Sequence, residues 1–124
     1  MFLLPKTQKK KNNFHFLENE MNTKKITKTL IKFRDSRNWG RFHTEAEIAR
    51  SLCIEATELN RLYQWGKTAR QDALQEEIAD VLIYCLYLCE RRGIDPENAI
   101  IEKIARNEVR YPVSGSTEEL NWKS

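Results

Sequence analysis

The chain has 124 residues, of which 40% are hydrophobic and 31% charged, and its formal net charge is +3. This length suits one domain with one core, and the composition excludes a largely disordered chain. The longest apolar run, Val81 to Cys89, is far shorter than the roughly 20 residues of a membrane-spanning helix. The N-terminus places apolar residues before lysines, the reverse of a secretory signal, so we expect a cytoplasmic protein without a membrane segment.

Positive charge is concentrated at the N-terminus. Residues 1–28 carry seven lysines against two glutamates, which leaves the remainder of the chain slightly acidic. We predict that residues 1–22 form a basic, disordered extension. An alternative role for such a lysine-rich segment is to bind nucleic acid, but the acidic remainder argues against this partner.

Hydrophobic spacing predicts an all-α fold, because no segment alternates like a strand and glycine and proline are scarce. In the first predicted helix, Ile26, Leu30 and Phe33 recur at spacings of four and three residues, and an irregular aromatic segment, NWGRFH, follows. The four predicted helices span about residues 23–36, 44–65, 70–92 and 96–110.

Cap and stop residues delimit the later helices. Thr44 is a suitable N-cap for the second helix, and Gly66 supplies a stop after it. The third helix ends at Gly93, and Asp95 caps a fourth helix with Pro96 at its first position. These signals agree with the hydrophobic spacing.

From Ile78 onward the third helix is apolar almost all round, which is typical of a helix covered on every side. Three modest helices in the same subunit can scarcely cover it. We therefore predict that residues 23–112 form a four-helix bundle completed by homo-oligomerisation, as a homodimer or homotetramer, and that residues 113–124 form a tail.

Acidic residues interrupt two of these apolar helices. Glu55 takes a position in the apolar stripe of the second helix, and Glu58 follows one turn later. Glu77 and Asp80 are also three apart, directly before the apolar run VLIYCLYLC. If the two helices pack antiparallel, the four carboxylates converge near one level of the bundle.

Four neighbouring carboxylates in a poorly hydrated site repel one another or take up protons unless cations compensate them. Oxygen ligands without histidine or cysteine favour Mg²⁺, with Mn²⁺ as a substitute. The alternative is that some of these acids lie on the solvent-exposed faces of the helices and form ion pairs with lysine or arginine. Two acidic pairs inside apolar runs of adjacent helices favour the metal.

A basic face on the fourth helix complements a metal that binds phosphate. Lys103, Asn107 and Arg110 follow at spacings of four and three, although such a face is also common as a solvated surface. Aromatic residues flank the second helix, with Trp39 and Phe42 before it and Trp65 at its end. Their rings can stack on a base, or they can pack in the core at the ends of the helix. Acids, cations and aromatic rings together indicate a nucleotide site.

Within this pattern, the ExxE motif followed by ExxD resembles the metal-binding signature of the MazG-like superfamily of all-α nucleoside triphosphate pyrophosphohydrolases, and most of all its dCTP pyrophosphatase branch. The resemblance covers about residues 33–112. The stretches that carry it are FRDSRNWGRFH, EATELNRLYQW, ALQEEIADVLIYCLYLCERRGID and KIARNEVRYP.

This resemblance implies roles for individual residues. Those implied to hold Mg²⁺ and to be catalytic are Glu55, Glu58, Glu77 and Asp80. Those implied to line the base and sugar pocket are Trp39, His43, Trp65, Asn107 and Tyr111. Those implied to face the phosphates are Lys103 and Arg110. It also implies dimers or tetramers with composite sites.

The expected function is cleavage of a nucleoside triphosphate between its α and β phosphates, giving the monophosphate and pyrophosphate and cleansing the nucleotide pool. We expect Glu58 to orient or deprotonate the attacking water. The substrate suggested by the resemblance is dCTP or a related, modified pyrimidine deoxynucleotide. The sequence departs from the family pattern at two places. Glycines are common in the family before the first acid and within the ExxE motif, where this chain has Ile54, Ala56 and Thr57, and the link from Trp65 to Glu77, GKTARQDALQE, is short. The resemblance therefore leaves the preferred base open.

Two alternatives come from other functional classes. One is a non-catalytic helical module that binds nucleotide or metal without turnover. The other is a protein that binds nucleic acid through its basic N-terminal extension, which predicts salt-sensitive binding.

Overall fold

The computed structural model describes residues 22–113, which form helices and no strand, so the predicted all-α fold is confirmed. Short 3₁₀ turns lie at Gly40–Phe42 and Gln64–Gly66. The predicted basic extension and C-terminal tail fall almost entirely outside the described residues. The helices are α1, Thr23–Ser36; α2, Glu45–Arg61; α3, Gln71–Arg92; and α4, Pro96–Arg110.

Side-chain caps explain where three of the helices begin. The side chains of Asn22, Thr44 and Asp95 accept hydrogen bonds from amides in the first turns of α1, α2 and α4. Pro96 occupies the first position of α4, where its missing N–H costs no helical hydrogen bond. The predicted starts of these helices are therefore confirmed.

The end of α2 differs from its prediction. The helix ends at Arg61, not near residue 65. Tyr63, with φ of −106° and ψ of 4°, has already left the helical path, and Trp65 and Gly66 then adopt left-handed backbone, with φ of 64° and 68°. Left-handed backbone is costly for a bulky residue, and hydrophobic spacing carries no signal for it.

Packing divides the chain into two compact units, with the boundary between Ile94 and Asp95. In the first unit α2 packs along α3, and α1 also contacts α3. An ion pair of 2.6 Å between Glu45 and Arg92 joins the start of α2 to the end of α3. The two helices therefore run antiparallel.

The core of the first unit lies between these helices. Its buried hydrophobic residues are Ile48 from α2 and Tyr84 and Tyr87 from α3. Partly buried residues packed against them are Leu30, Ile31, Leu52, Ile83 and Leu88. The second unit contains α4, whose side chains are mostly exposed. Among residues 22–113, no helix combines the length and hydrophobicity needed to cross a membrane.

Gly93 ends α3 in left-handed backbone, with φ of 62° and no atom within 4 Å of the position that a Cβ would take. Gly93→Ala is expected to lower the free energy of unfolding by about 1 kcal/mol, because an L side chain disfavours this backbone even in open space. Urea unfolding measures the change. Gly93→Asn should cost less, and an alanine variant as stable as the wild type would contradict the explanation.

Candidate metal centre

Three acidic side chains from two helices meet in the first unit. Glu55 of α2 and Glu77 and Asp80 of α3 each offer a carboxylate oxygen, and these oxygens all lie within 4.8 Å of one another. Glu55 is only 2% exposed and Glu77 only 5%, whereas Asp80 is half-buried. The antiparallel packing of α2 and α3 thus brings together three of the four acids singled out in the sequence.

The chemistry of this cluster fits a divalent cation. Burying like charges so close together is unfavourable, because each carboxylate loses hydration and repels its neighbours. A divalent cation held between them removes the repulsion. Carboxylate oxygens with no nitrogen or sulfur ligand suit hard cations.

Glu58, the fourth acid, is not part of this trio. Its Oε1 atom forms an ion pair of 3.2 Å with Nη1 of Arg61, one turn further along α2, and its side chain is partly exposed. The sequence pattern gave no way to choose between a metal ligand and this local pair. Its role as ligand or general base stays a prediction.

Tyr84 is a residue of this site that the sequence interpretation missed. It lies one turn beyond Asp80 and is buried. Burial, and then the charges of Glu55 and Asp80, raise the pKa of its hydroxyl to about 12, so the hydroxyl keeps its proton at neutral pH. The signal available was its spacing of four from Asp80, on the same face of the helix.

An aromatic strip leads from Tyr84 away from the acids. The ring centres of Tyr84 and Tyr87 are 6.2 Å apart, and Tyr87 meets the imidazole of His43 edge-on at 5.0 Å. Desolvation, followed by the charges of Arg34 and Arg91, lowers the pKa of His43. Its Nδ1 atom is buried and has no hydrogen-bond partner within residues 22–113. His43 is therefore a neutral imidazole at neutral pH.

The two tryptophans implied to contact the base lie in different surroundings. Trp39 is half-buried and packs edge-on against Phe33, with ring centres 5.6 Å apart. Trp65 is 92% exposed and adopts left-handed backbone. Core packing, the alternative role for these rings, suits Trp39 and does not hold for Trp65.

The basic residues of α4 belong to the second unit. Lys103 and Arg110 are exposed, Asn107 is half-buried, and the Arg110 guanidinium lies 5.3 Å from the ring centre of Tyr111. Their spacing places the first three on one face of α4. Their roles toward phosphate and base stay predictions.

Comparison with known proteins identifies the family. The MazG-like family profile matches residues 50–124, more than half of the chain. The chain belongs to the MazG-like family. Among its relatives is "dCTP pyrophosphatase 1" of Rattus norvegicus, 36% identical over 98 residues, which are 71% of this chain and 58% of the relative. The human protein of that name is 35% identical over 97 residues, 70% of this chain and 57% of the relative.

A solved structure agrees with this assignment. The crystal structure of a pyrophosphatase from Archaeoglobus fulgidus DSM 4304 is 36% identical, with a TM-score of 0.71, and the match covers 77% of this chain and 97% of that one. The predicted resemblance to the MazG-like superfamily and its dCTP pyrophosphatase branch is confirmed. This MazG-like chain spans less than two thirds of the length of the curated relatives it matches.

Removing one acid of the trio tests the metal centre. Mg²⁺ or Mn²⁺ is expected to raise the thermal midpoint of the wild type, since a ligand that binds only the folded state at a hundredfold excess over its Kd stabilises it by about 2.7 kcal/mol. The shift should be lost in Glu77→Gln and in Asp80→Asn. Glu76→Gln, an exposed neighbour on the same helix, is the matched control and should retain it. An equal shift in all four proteins would place the cation elsewhere.

Proposed function

We propose that this MazG-like protein is a Mg²⁺-dependent nucleoside triphosphate pyrophosphohydrolase that cleaves between the α and β phosphates. The observation that carries the proposal is the trio of Glu55, Glu77 and Asp80 between antiparallel helices, of which the two glutamates are buried. A pyrophosphatase with a similar fold and relatives named for dCTP hydrolysis support the same reaction. The products are the nucleoside monophosphate and pyrophosphate.

The substrate we propose is dCTP or a related, modified pyrimidine deoxynucleotide, whose removal cleanses the cytoplasmic nucleotide pool. The names of the relatives support the cytosine base. A neutral His43 also supports it, because an imidazole without a proton on one nitrogen can accept a hydrogen bond from an exocyclic amino group. Trp39 is a further proposed base contact in the first unit, and the roles of Asn107 and Tyr111 stay predictions from the family resemblance.

Trp65 contributes an independent argument for a ligand. A bulky residue in left-handed backbone is strained, and a tryptophan ring left in water gains nothing from burial. Both costs are offset if the ring covers a bound base. Trp65 therefore fits a role as a stacking surface better than a role in the fold.

The first part of the proposed mechanism is the binding of the metal. Glu55, Glu77 and Asp80, with Glu58 as the proposed fourth ligand, are the groups that would hold Mg²⁺, for which Mn²⁺ can substitute. Bound there, the metal supplies charge neutralisation for the triphosphate and lowers the pKa of the attacking water. The remaining steps fall to side chains of this chain.

Among those side chains, Glu58 is the proposed proton acceptor, because its carboxylate is partly exposed and lies one turn along α2 from Glu55. The roles of Lys103 and Arg110 toward the phosphates stay predictions from the family resemblance. The Tyr84 hydroxyl, whose pKa is raised by burial and by the charges of Glu55 and Asp80, stays protonated beside the acids. Water attacks in line as the bridging oxygen departs with pyrophosphate.

Pyrophosphate release from each common dNTP and NTP tests the reaction. The wild type should release pyrophosphate only with a divalent cation. Glu55→Gln and Asp80→Asn should lower kcat/KM by about a hundredfold or more, because each removes a charge that holds the metal. Glu76→Gln should remain close to the wild type.

Circular dichroism of each variant separates lost chemistry from lost fold. No release from any nucleotide by folded wild type that still binds one would contradict the enzyme and identify a non-catalytic binding module. Salt-sensitive binding to nucleic acid that is lost on deleting residues 1–20 would support the basic extension as the functional part.

We also propose that the protein assembles as a homodimer or homotetramer through α3. Ile78 and Leu82, one turn apart on this helix, are 41% and 55% exposed in the single chain. Exposed apolar side chains in a row on one helix are favourable only when another surface covers them. A second copy of α3 meets that need in the way predicted from the sequence.

Leu82→Glu tests this assembly. The wild type is expected to have at least twice the mass of one chain by light scattering, and Leu82→Glu is expected to shift the mass toward one chain, because it places a charge within the interface. Gln75→Glu, an exposed position on the same helix, should leave the mass unchanged. A wild type with the mass of one chain would exclude the oligomer.

A further inference from the structure

The turn between α1 and α2 carries Trp39 and His43, two of the proposed base contacts. Part of its support comes from the backbone carbonyl of Arg34, which accepts hydrogen bonds from the amides of Arg37 at 3.2 Å and Trp39 at 3.1 Å. Within the turn, the amide of His43 donates to the carbonyl of Gly40 at 3.1 Å. The backbone of the turn is thus tied to the last residues of α1.

The side chain of Arg34 lies between this turn and α3. It is only 11% exposed, and its Nη1 atom is 3.4 Å from Oε2 of Glu90. Its guanidinium carbon is 5.9 Å from the ring centre of Tyr87. On the other side, Nε is 3.0 Å from Oδ1 of Asp35 and 3.2 Å from the position that a Cβ on Gly40 would occupy. The guanidinium therefore separates the turn from the helix.

This arrangement explains why residue 40 is a glycine. Its backbone does not adopt left-handed φ, so conformation alone does not demand glycine. A Cβ at 3.2 Å from Arg34 Nε would be closer than nine in ten real Cβ contacts, so the guanidinium would have to move by a few tenths of an ångström. Glycine at residue 40 allows the turn to approach Arg34 closely without this displacement.

A buried arginine is costly unless its charge and donors are paired, and a lysine cannot replace its planar fork. Arg34 meets this requirement with one acid from its own helix, Asp35, and one from α3, Glu90. The pair with Glu90 crosses from α1 to α3, and the Tyr87 hydroxyl makes a second crossing to the carbonyl of Leu30 at 3.4 Å. The position of the turn relative to α3 depends on these contacts.

We propose that Arg34 is a positioning residue that sets base selectivity by holding the turn with Trp39 and His43 against Tyr87. This inference rests on the proposed function, since selectivity needs a nucleotide substrate. Arg34 acts at the base end, because it contacts Tyr87 and supports the turn that carries Trp39 and His43. Its loss should affect substrate binding and leave the chemical step largely intact.

The first measurement is independent of activity. In Arg34→Met, which keeps much of the side-chain volume and removes the charge, the amides of Trp39 and His43 should exchange hydrogen about tenfold faster, because the turn opens locally more often. Amides in the middle of α2 and α3 should be unaffected. Arg50→Met, which removes an exposed arginine paired within α2, is the matched control and should change none of them.

Gly40→Ala tests the same contact from the turn and disturbs the fold less than loss of the buried arginine. It should also speed exchange at Trp39 and His43. Because both substitutions disrupt one contact, the double variant with Arg34→Met should be no worse than Arg34→Met alone, whereas independent effects would add. Additive effects, or unchanged exchange in both single variants, would overturn the proposed support of the turn.

The second measurement compares KM and kcat for dCTP, dTTP and dATP. Arg34→Met and Gly40→Ala should raise KM for the preferred nucleotide about tenfold and reduce the ratio of kcat/KM between bases, with kcat changed by less than about threefold. Faster exchange with unchanged base ratios would overturn the role in selectivity. A wild type that hydrolyses no nucleotide would refute the proposed function and selectivity together, while the exchange data would still decide whether Arg34 holds the turn.

Discussion

The antiparallel contact between α2 and α3 is the constraint on which the site depends. The Glu45–Arg92 ion pair fixes one end of this contact, Ile48 and Tyr84 fill its middle, and Glu55 faces Glu77 and Asp80 at the other end. Packing that buries apolar side chains thereby also buries carboxylates. Buried carboxylates are tolerated only with compensating interactions, so a cation bound between these acids would add to the stability of the fold.

Along one face of α3, the side chains change from acidic near the start of the helix to aromatic further along. Glu77, Asp80, Tyr84 and Tyr87 follow at spacings of three, four and three, which keeps them on one side of the helix. The acids at the start of this series belong to the candidate metal centre, and the two rings further along fill the core. A single helix therefore places the candidate metal centre directly beside the core of the first unit.

Local signals made much of the fold predictable, whereas contacts between distant residues stayed hidden. Thr44 and Asp95 cap helices through bonds to amides two or three residues away, so the sequence alone locates these starts. The left-handed Trp65 and the buried Arg34 depend on the rest of the structure. Glu77 and Asp80 were found because their spacing fixes a common face, while Tyr84 was hidden within a run that reads as apolar.

The exposed ring of Trp65 is also an intrinsic fluorescent probe. An indole in water emits at longer wavelength than one enclosed by a ligand, and Trp39, half-buried against Phe33, already has a drier environment. A bound base that covers Trp65 would therefore shift the fluorescence of the protein toward the blue. The exposed Trp65 would therefore give an optical signal of ligand binding without any added label.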